Sequence, residues 1–309
     1  MKTRLLSASA VIVLLVGLGL IVSFFVFDQD EVEEPMIAEP PELDEPDEDA
    51  GAPSLELTET VVASVEGRVT RRTTSGELVE VRVGDVVPFD QTVETEDGAA
   101  TLNLAESTTV ELGGQSAVTV SEADDGAQQL RLERGRTSAA VGPSGDGLRV
   151  TFPNSDAVAE VQDGDVRAIT DGSGHVTVAS DRGRVRLSAR GESVVIAEGE
   201  ESEVLTDQPP SAPRPVPRSF FLRVRRPPSL TRAPATTVNG QATPGAVVLI
   251  NGEPTAVDAN GRFRRRVPLR EGRNAVTVRA EDVRGRTQSS SVAVTLDTSA
   301  SNIESNVDW

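Results

Sequence analysis

The stretch TVETEDGAATLNLAESTTVEL, Thr92–Leu112, decides the fold of this chain. Thr92-Val93-Glu94-Thr95 is a run of β-formers, and Asp97-Gly98 breaks it. Leu102-Asn103-Leu104 and Thr109-Val110-Glu111-Leu112 then alternate apolar with polar residues before Gly113-Gly114 breaks the pattern again. Alternation at period 2, bounded by glycine and aspartate, marks half-buried strands joined by short turns.

The same texture runs outward from there, from Glu59 to about Leu205. Val61–Val65 leads to a turn at Glu66-Gly67, and Leu78–Val83 sets Val79, Val81 and Val83 against Leu78, Glu80 and Arg82. Ala117–Val120, Leu130-Arg131-Leu132, Val176-Thr177-Val178, Val185-Arg186-Leu187 and Val194-Val195-Ile196 continue the series. No segment here carries a 3.6-residue apolar stripe, so an all-β domain is expected over residues 59–206. Aromatics make up 3% of the chain, which implies thin layers packed by Val and Leu, as in a solenoid or a small sandwich. Asp163-Gly164-Asp165 is expected to be a hairpin turn.

These runs carry a family resemblance. Thr92–Ala100, Leu102-Asn103-Leu104, Thr109–Leu112 and Leu130-Arg131-Leu132-Glu133-Arg134-Gly135-Arg136 resemble the ordered motifs of a FecR domain. So do the extended Leu148–Pro153, the lead-in Val83-Gly84-Asp85-Val86-Val87, and the pair Val176–Leu187. Two places depart from the pattern, Ala105-Glu106-Ser107 and Asp163-Gly164-Asp165-Val166, and both are turn or strand-entry chemistry. The resemblance implies an extracytoplasmic, solenoid-like β module. In the better-known relatives that module is the periplasmic part of an anti-sigma regulator.

Residues 207–235, beginning DQPPSAPRPVP, read as a Pro/Arg-rich linker with a possible edge strand at Ser219–Val224. Beyond it, residues 236–297 hold short strands separated by strong turn signals. Thr243-Pro244-Gly245 suits a type II turn, and Asn251-Gly252 is a hairpin signal. Asp258-Ala259-Asn260-Gly261 and Glu271-Gly272-Arg273-Asn274 add two more turns. Many short strands in so few residues predict an Ig-like sandwich. The order V-x-G-x-A-x-P-G, then D-x-N-G-x-F, then E-G-x-N-x-V-T-V resembles bacterial Ig-like modules of the glucodextranase-B type, which are accessory modules.

The N-terminal end is of another kind. Leu5–Phe27 is an uncharged apolar run of about 23 residues, enough for about 35 Å of helix. It is too long and too bulky at its exit for a cleaved signal peptide. With Lys2 and Arg4 on one flank and acid on the other, residues 1–4 are expected in the cytoplasm and the rest outside. Residues 28–58 hold many Asp, Glu and Pro and no basic residue, so a disordered acidic stalk is expected. Residues 298–309 are expected to be a flexible tail. The predicted location is the bacterial inner membrane, single-pass, with the bulk of the chain periplasmic.

Composition limits the chemistry. There is no Cys, hence no disulfide, thiol nucleophile or lipoprotein anchor, and no His/Cys cluster with zinc-ligand spacing. His175 is the single histidine, and a strand start with Val176 and Val178 facing inward points it to solvent. An enzyme is not expected, nor a cofactor or metal. The net charge of −19 hides a basic C-terminal third in which arginine supplies the charge. Alternation puts Arg262, Arg264 and Arg266 on one strand face, and Arg225 and Arg226 precede the sandwich. These are the candidate contacts to an anionic partner, either an acidic envelope protein or an anionic cell-wall or surface polymer. Nucleic acid is not expected, since stacking aromatics are missing. The function expected is a membrane-anchored binding or scaffold protein of the envelope. The alternative is signal transduction through a membrane partner, since four residues before the anchor are too few to hold a sigma factor.

Overall fold

In the computed structural model, which describes residues 60–104, 107–122, 128–143 and 147–299, every regular element is a strand. The expected anchor, the acidic stalk and all but the first two residues of the expected tail lie outside the described residues. No described helix is long and apolar enough to cross a membrane.

The first domain begins with β1 (Thr60–Glu66), β2 (Val69–Arg72), β3 (Leu78–Glu80), β4 (Val86–Val87) and β5 (Thr92–Thr95). It continues with β6 (Ala99–Leu104), β7 (Thr108–Leu112), β8 (Ala117–Glu122), β9 (Gln128–Val141) and β10 (Leu148–Thr151). It ends with β11 (Val158–Thr170), β12 (Val176–Ala189), β13 (Glu192–Ala197), β14 (Glu200–Val204) and β15 (Arg214–Pro215). These strands form one 15-stranded sheet, folded on itself by the long strands β9, β11 and β12. One half of β9 pairs with β8 and β10, and the other half with β7 and β11. The bend falls near Gly135, at φ 84°.

The second corner corrects the sequence reading. Asp163-Gly164-Asp165 is not a hairpin turn but a bulge inside the continuous strand β11, opposite Gly183 in β12. Both glycines have positive φ, and a Cβ on Gly164 would sit 2.3 Å from the Arg182 carbonyl oxygen. Glycine is required because two backbones cross at a corner where the sheet changes direction. Arg182 ties that corner by bonding Asp163 at 3.0 Å and Asp165 at 3.2 Å. For the same reason, Val176–Val178 and Val185–Leu187 belong to one 14-residue strand rather than two.

Val, Leu and Ala fill the core, with Phe152 its one large aromatic. Leu102, Leu130, Leu132 and Leu187 are fully buried. Burial of each such side chain is worth roughly 1.5–3 kcal/mol.

The second domain holds β16 (Leu222–Arg225), β17 (Leu230–Thr231), β18 (Ala235–Ala242) and β19 (Val247–Ile250). After them come β20 (Glu253–Thr255), β21 (Arg262–Pro268), β22 (Gly272–Glu281) and β23 (Thr287–Leu296). A three-stranded sheet, β16-β18-β21, packs on a five-stranded sheet, β17-β23-β22-β19-β20, as a sandwich. Its core is Val238, Val248, Ile250, Phe263, Val276 and Val278 with Val257, Val267, Ala242, Ala246 and Ala280. The local turn chemistry explains the connections. Asn251 at φ 52° and Gly252 at φ 82° make the β19–β20 hairpin, and Asp258 accepts from the Asn260 and Arg262 amides to close the next turn.

Residues 207–217 form a strap that lies against both domains. Ser211 donates its amide to the Glu203 carbonyl, and the Val216 amide bonds the Gly199 carbonyl. Arg286 of the second domain donates to the Pro217 and Arg218 carbonyls. Ile169 and Ala179 from the first domain, Val216 from the strap, and Val247 and Val283 from the second form a small buried cluster. The described residues therefore fall within one compact unit.

Candidate functional site

The exposed face of β16-β18-β21 is built by alternation on all three strands. On β21, Phe263 and Val267 point into the core, which turns Arg262, Arg264 and Arg266 to solvent. On β16, Leu222 and Val224 pack inward and Arg223 and Arg225 are exposed. On the central strand β18, Val238 and Ala242 are buried, while Thr237, Asn239 and Gln241 face outward, half-buried.

Register aligns these residues in rows. Arg223 pairs with Gln241 and Gln241 with Arg262; Arg225 pairs with Asn239 and Asn239 with Arg264; Thr237 pairs with Arg266. Directly paired residues share a face, so two lines of arginine run along a central lane of Gln241, Asn239 and Thr237. Sheet geometry puts neighbouring arginines on one strand about 7 Å apart and the two lines about 10 Å apart. A groove of about 580 Å³ lies here, lined in part by Arg223, Arg225, Asn239, Gln241 and Arg262.

Among the described residues none of these five arginines has a carboxylate within ion-pair distance, in contrast to Arg265 on the same strand, which pairs with Glu253. Arg223 instead lies over the Phe221 ring, 5.3 Å from its centroid. Gln241 donates its amide nitrogen to the Asn260 carbonyl at 2.9 Å, which leaves its side-chain oxygen free to accept.

The structure brings together Arg225, Arg262, Arg264 and Arg266 of the five residues singled out from sequence. Arg226 is exposed but lies past the end of β16 and has no place in the rows. Arg223 was missed. Its signal was the alternation Leu222-Arg223-Val224-Arg225, visible once the strand is extended to Arg225.

His175 corrects the sequence reading. It is 3% exposed, not turned to solvent. Alternation places it opposite Val176, but that face of β12 is covered by the strap and by the second domain: Thr177, two residues on, donates its hydroxyl to the Gly245 carbonyl at 2.8 Å. Beneath lie two buried carboxylates. His175 Nε2 lies 2.8 Å from Glu203 Oε1 but is not aligned with it as a hydrogen bond, and neither of these atoms nor His175 Nδ1 has a hydrogen-bond partner among the described residues. Arg214 reaches Glu201 at 3.1 Å and Glu203 at 3.4 Å. Gly245, at φ 81°, lets the turn after Thr243 settle on this cluster, since a Cβ there would meet the Arg214 guanidinium at 3.0 Å.

Burial pushes the Glu201 carboxyl above its ordinary value, with Arg214 opposing. A raised carboxyl pKa means the fold favours the protonated form. This group therefore contributes stability that is full below about pH 4.3, its unfolded value, and lost as pH rises through the folded one. Glu201→Gln is expected to remove that decline and leave stability at pH 7 equal to or above that of the parent. Urea unfolding across pH 4–8 checks it, and a loss above about 2 kcal/mol at pH 7 would show that the Arg214 pairing outweighs desolvation.

A second cavity, of about 450 Å³, opens between the domains and is lined by Thr95, Gln115, Ile169, Leu249 and Arg279 among others. Arg279 there is already bonded to Gln115 and Glu281, both at 2.9 Å. No group of three or more metal-ligating side chains occurs among the described residues.

The family model described as FecR protein matches residues 91–186, and that of glucodextranase, domain B, matches residues 227–298. The chain carries a FecR domain followed by a glucodextranase-B-type domain. No curated protein matches the chain. Among solved structures, a candidate anti-sigma factor from Parabacteroides distasonis is similar at 12% identity and a TM-score of 0.37, over 44% of this chain and 68% of that one. A second crystal structure with the same description gives 12% and 0.36, over 46% and 67%. A polysaccharide lyase gives 10% and 0.21, over 75% of this chain and 40% of that one. The exposed arginine rows lie entirely within the stretch from Leu222 to Pro268, so they belong to the glucodextranase-B-type domain and its lead-in strand, not to the FecR domain.

Proposed function

We propose that this protein is a non-enzymatic binding module of the bacterial envelope. It is held at the inner membrane by Leu5–Phe27 and raised on the acidic stretch 28–58. The FecR domain and the Ig-like domain act as one body, and the β16-β18-β21 face engages an anionic partner. The observation that carries this reading is the set of five exposed, unpaired arginines in two lines. The planar guanidinium fork grips carboxylate or phosphate bidentately, so less side-chain freedom is lost per hydrogen bond formed. Exposed charges left without partners also cost the fold little, so they are available to a ligand.

Combining Arg262→Glu, Arg264→Glu and Arg266→Glu in the full chain is expected to leave stability within about 1 kcal/mol, because all three are exposed. It is expected to lower co-sedimentation with a washed envelope fraction at least tenfold at physiological salt. Undiminished retention of the triple variant contradicts the reading.

A second reading is FecR-type signal transduction through a membrane partner, favoured by the FecR match over residues 91–186. A transcript profile unchanged by deletion of the protein contradicts it.

A further inference from the structure

We propose that the lane between the arginine lines holds a single chain of an acidic polysaccharide, a polyuronate, lying parallel to β18. This rests on the anionic-face reading above and names the class of ligand. Three features of the face carry it.

The first is shape. The cations are not a diffuse patch but two walls, Arg223 and Arg225 on one side and Arg262, Arg264 and Arg266 on the other, flanking a floor of three polar residues. With the walls about 10 Å apart, a single extended polymer strand is reached from both sides at once, and its charges meet an arginine about every 7 Å along its length.

The second is the chemistry of the floor. Polyphosphate presents only acceptors. The Gln241 amide nitrogen has one of its two hydrogens on the Asn260 carbonyl, so this residue offers a ligand its second N–H and its oxygen, which needs a donor. Asn239 offers both an oxygen and an NH2, and Thr237 a hydroxyl. A uronate unit supplies carboxylate for the walls and hydroxyls, which donate as well as accept, for the floor. A polymer of acceptors alone would strand the floor oxygens against negative charge.

The third is the ring of Phe221 beside Arg223. Half-buried, the ring adds an apolar surface beside Arg223 against which the C–H groups of a sugar pack. An acidic peptide fits less well. Peptides add to sheets at strand edges, where backbone groups are open, whereas this lane lies on a side-chain-covered face whose central strand is bonded on both sides.

The experiment titrates the full chain in nanodiscs with oligogalacturonides of two to eight units, with polyphosphate and poly-glutamate of matched charge, and with neutral dextran. Affinity for the oligogalacturonides is expected to rise at least tenfold from the dimer to about the tetramer and then level off, as the lane fills. Arg223→Glu with Arg225→Glu, and Arg262→Glu with Arg264→Glu, are each expected to weaken binding at least tenfold. Asn239→Ala is expected to weaken oligogalacturonide binding alone, with circular dichroism unchanged in every variant. If polyphosphate or poly-glutamate binds as tightly as the uronates, the polysaccharide inference fails while the anionic-face reading stands. If only one arginine line matters, the lane is wrong. If no polyanion binds, both readings fall together.

Discussion

His175→Ala is expected to destabilise the FecR and Ig-like body by about 3–5 kcal/mol, a large share of the stability of any single domain. The reason is the loss of a polar neighbour in a closed space. Glu201 and Glu203 are 3% and 2% exposed, and Arg214 serves both. His175 is the other polar side chain against Glu203, its Nε2 2.8 Å from Oε1. Without the imidazole, Glu203 keeps only the 3.4 Å contact to a shared Arg214 and gains a cavity beside it. A buried carboxylate that loses its partner costs more than the pair contributed, because its desolvation is no longer offset. Removing the acid as well separates this account from simple loss of packing. Glu203→Leu in the His175→Ala background is expected to recover at least half of the loss in urea unfolding. A loss under 1 kcal/mol for His175→Ala, or no recovery in the double variant, contradicts this account.

Val283→Asp is expected to uncouple the two domains. Val283 is 1% exposed and packs with Ile169, Ala179, Val216 and Val247, a cluster to which both domains and the strap contribute. An ionised carboxylate placed among these aliphatic side chains loses its hydration, and the penalty is at least about 3 kcal/mol. The bonds around it, among them Thr177 to Gly245, Arg279 to Gln115, Arg136 to Glu281 and Arg286 to Pro217 and Arg218, are polar surface contacts that are expected not to offset that penalty. Calorimetry of the parent is expected to show one cooperative transition, and of the variant two, with residues 207–217 newly open to protease. A single transition at an unshifted temperature in the variant would mean the cluster does not couple the domains.

What was legible in the sequence was what local chemistry decides. Asn251-Gly252 and Asp258–Gly261 identify turns because few other residues tolerate those backbones, and Arg262, Arg264 and Arg266 share a face because strands alternate. What was not legible depends on which surfaces meet. The alternation that sets His175 opposite Val176 is correct, but the far face of β12 is dry only because a strap and a second domain cover it. Asp163-Gly164-Asp165 has turn composition, yet a glycine pair across two long strands also makes a bulged corner, and only the pairing of Gly164 with Gly183 decides between them. Arg223 and Arg225 join the β21 arginines through β18, a neighbour that no periodicity within β16 reveals.

The central claim is that this chain works through the β16-β18-β21 face, with the FecR domain as its rigid support. Hydrogen–deuterium exchange of the full chain, with and without a saturating envelope polymer, tests it most directly. The account predicts slowed exchange confined to residues 222–225, 235–242 and 262–268, lost in the Arg262, Arg264 and Arg266 triple variant. Protection that falls instead on residues 91–186, with the arginine sheet unchanged, would contradict it.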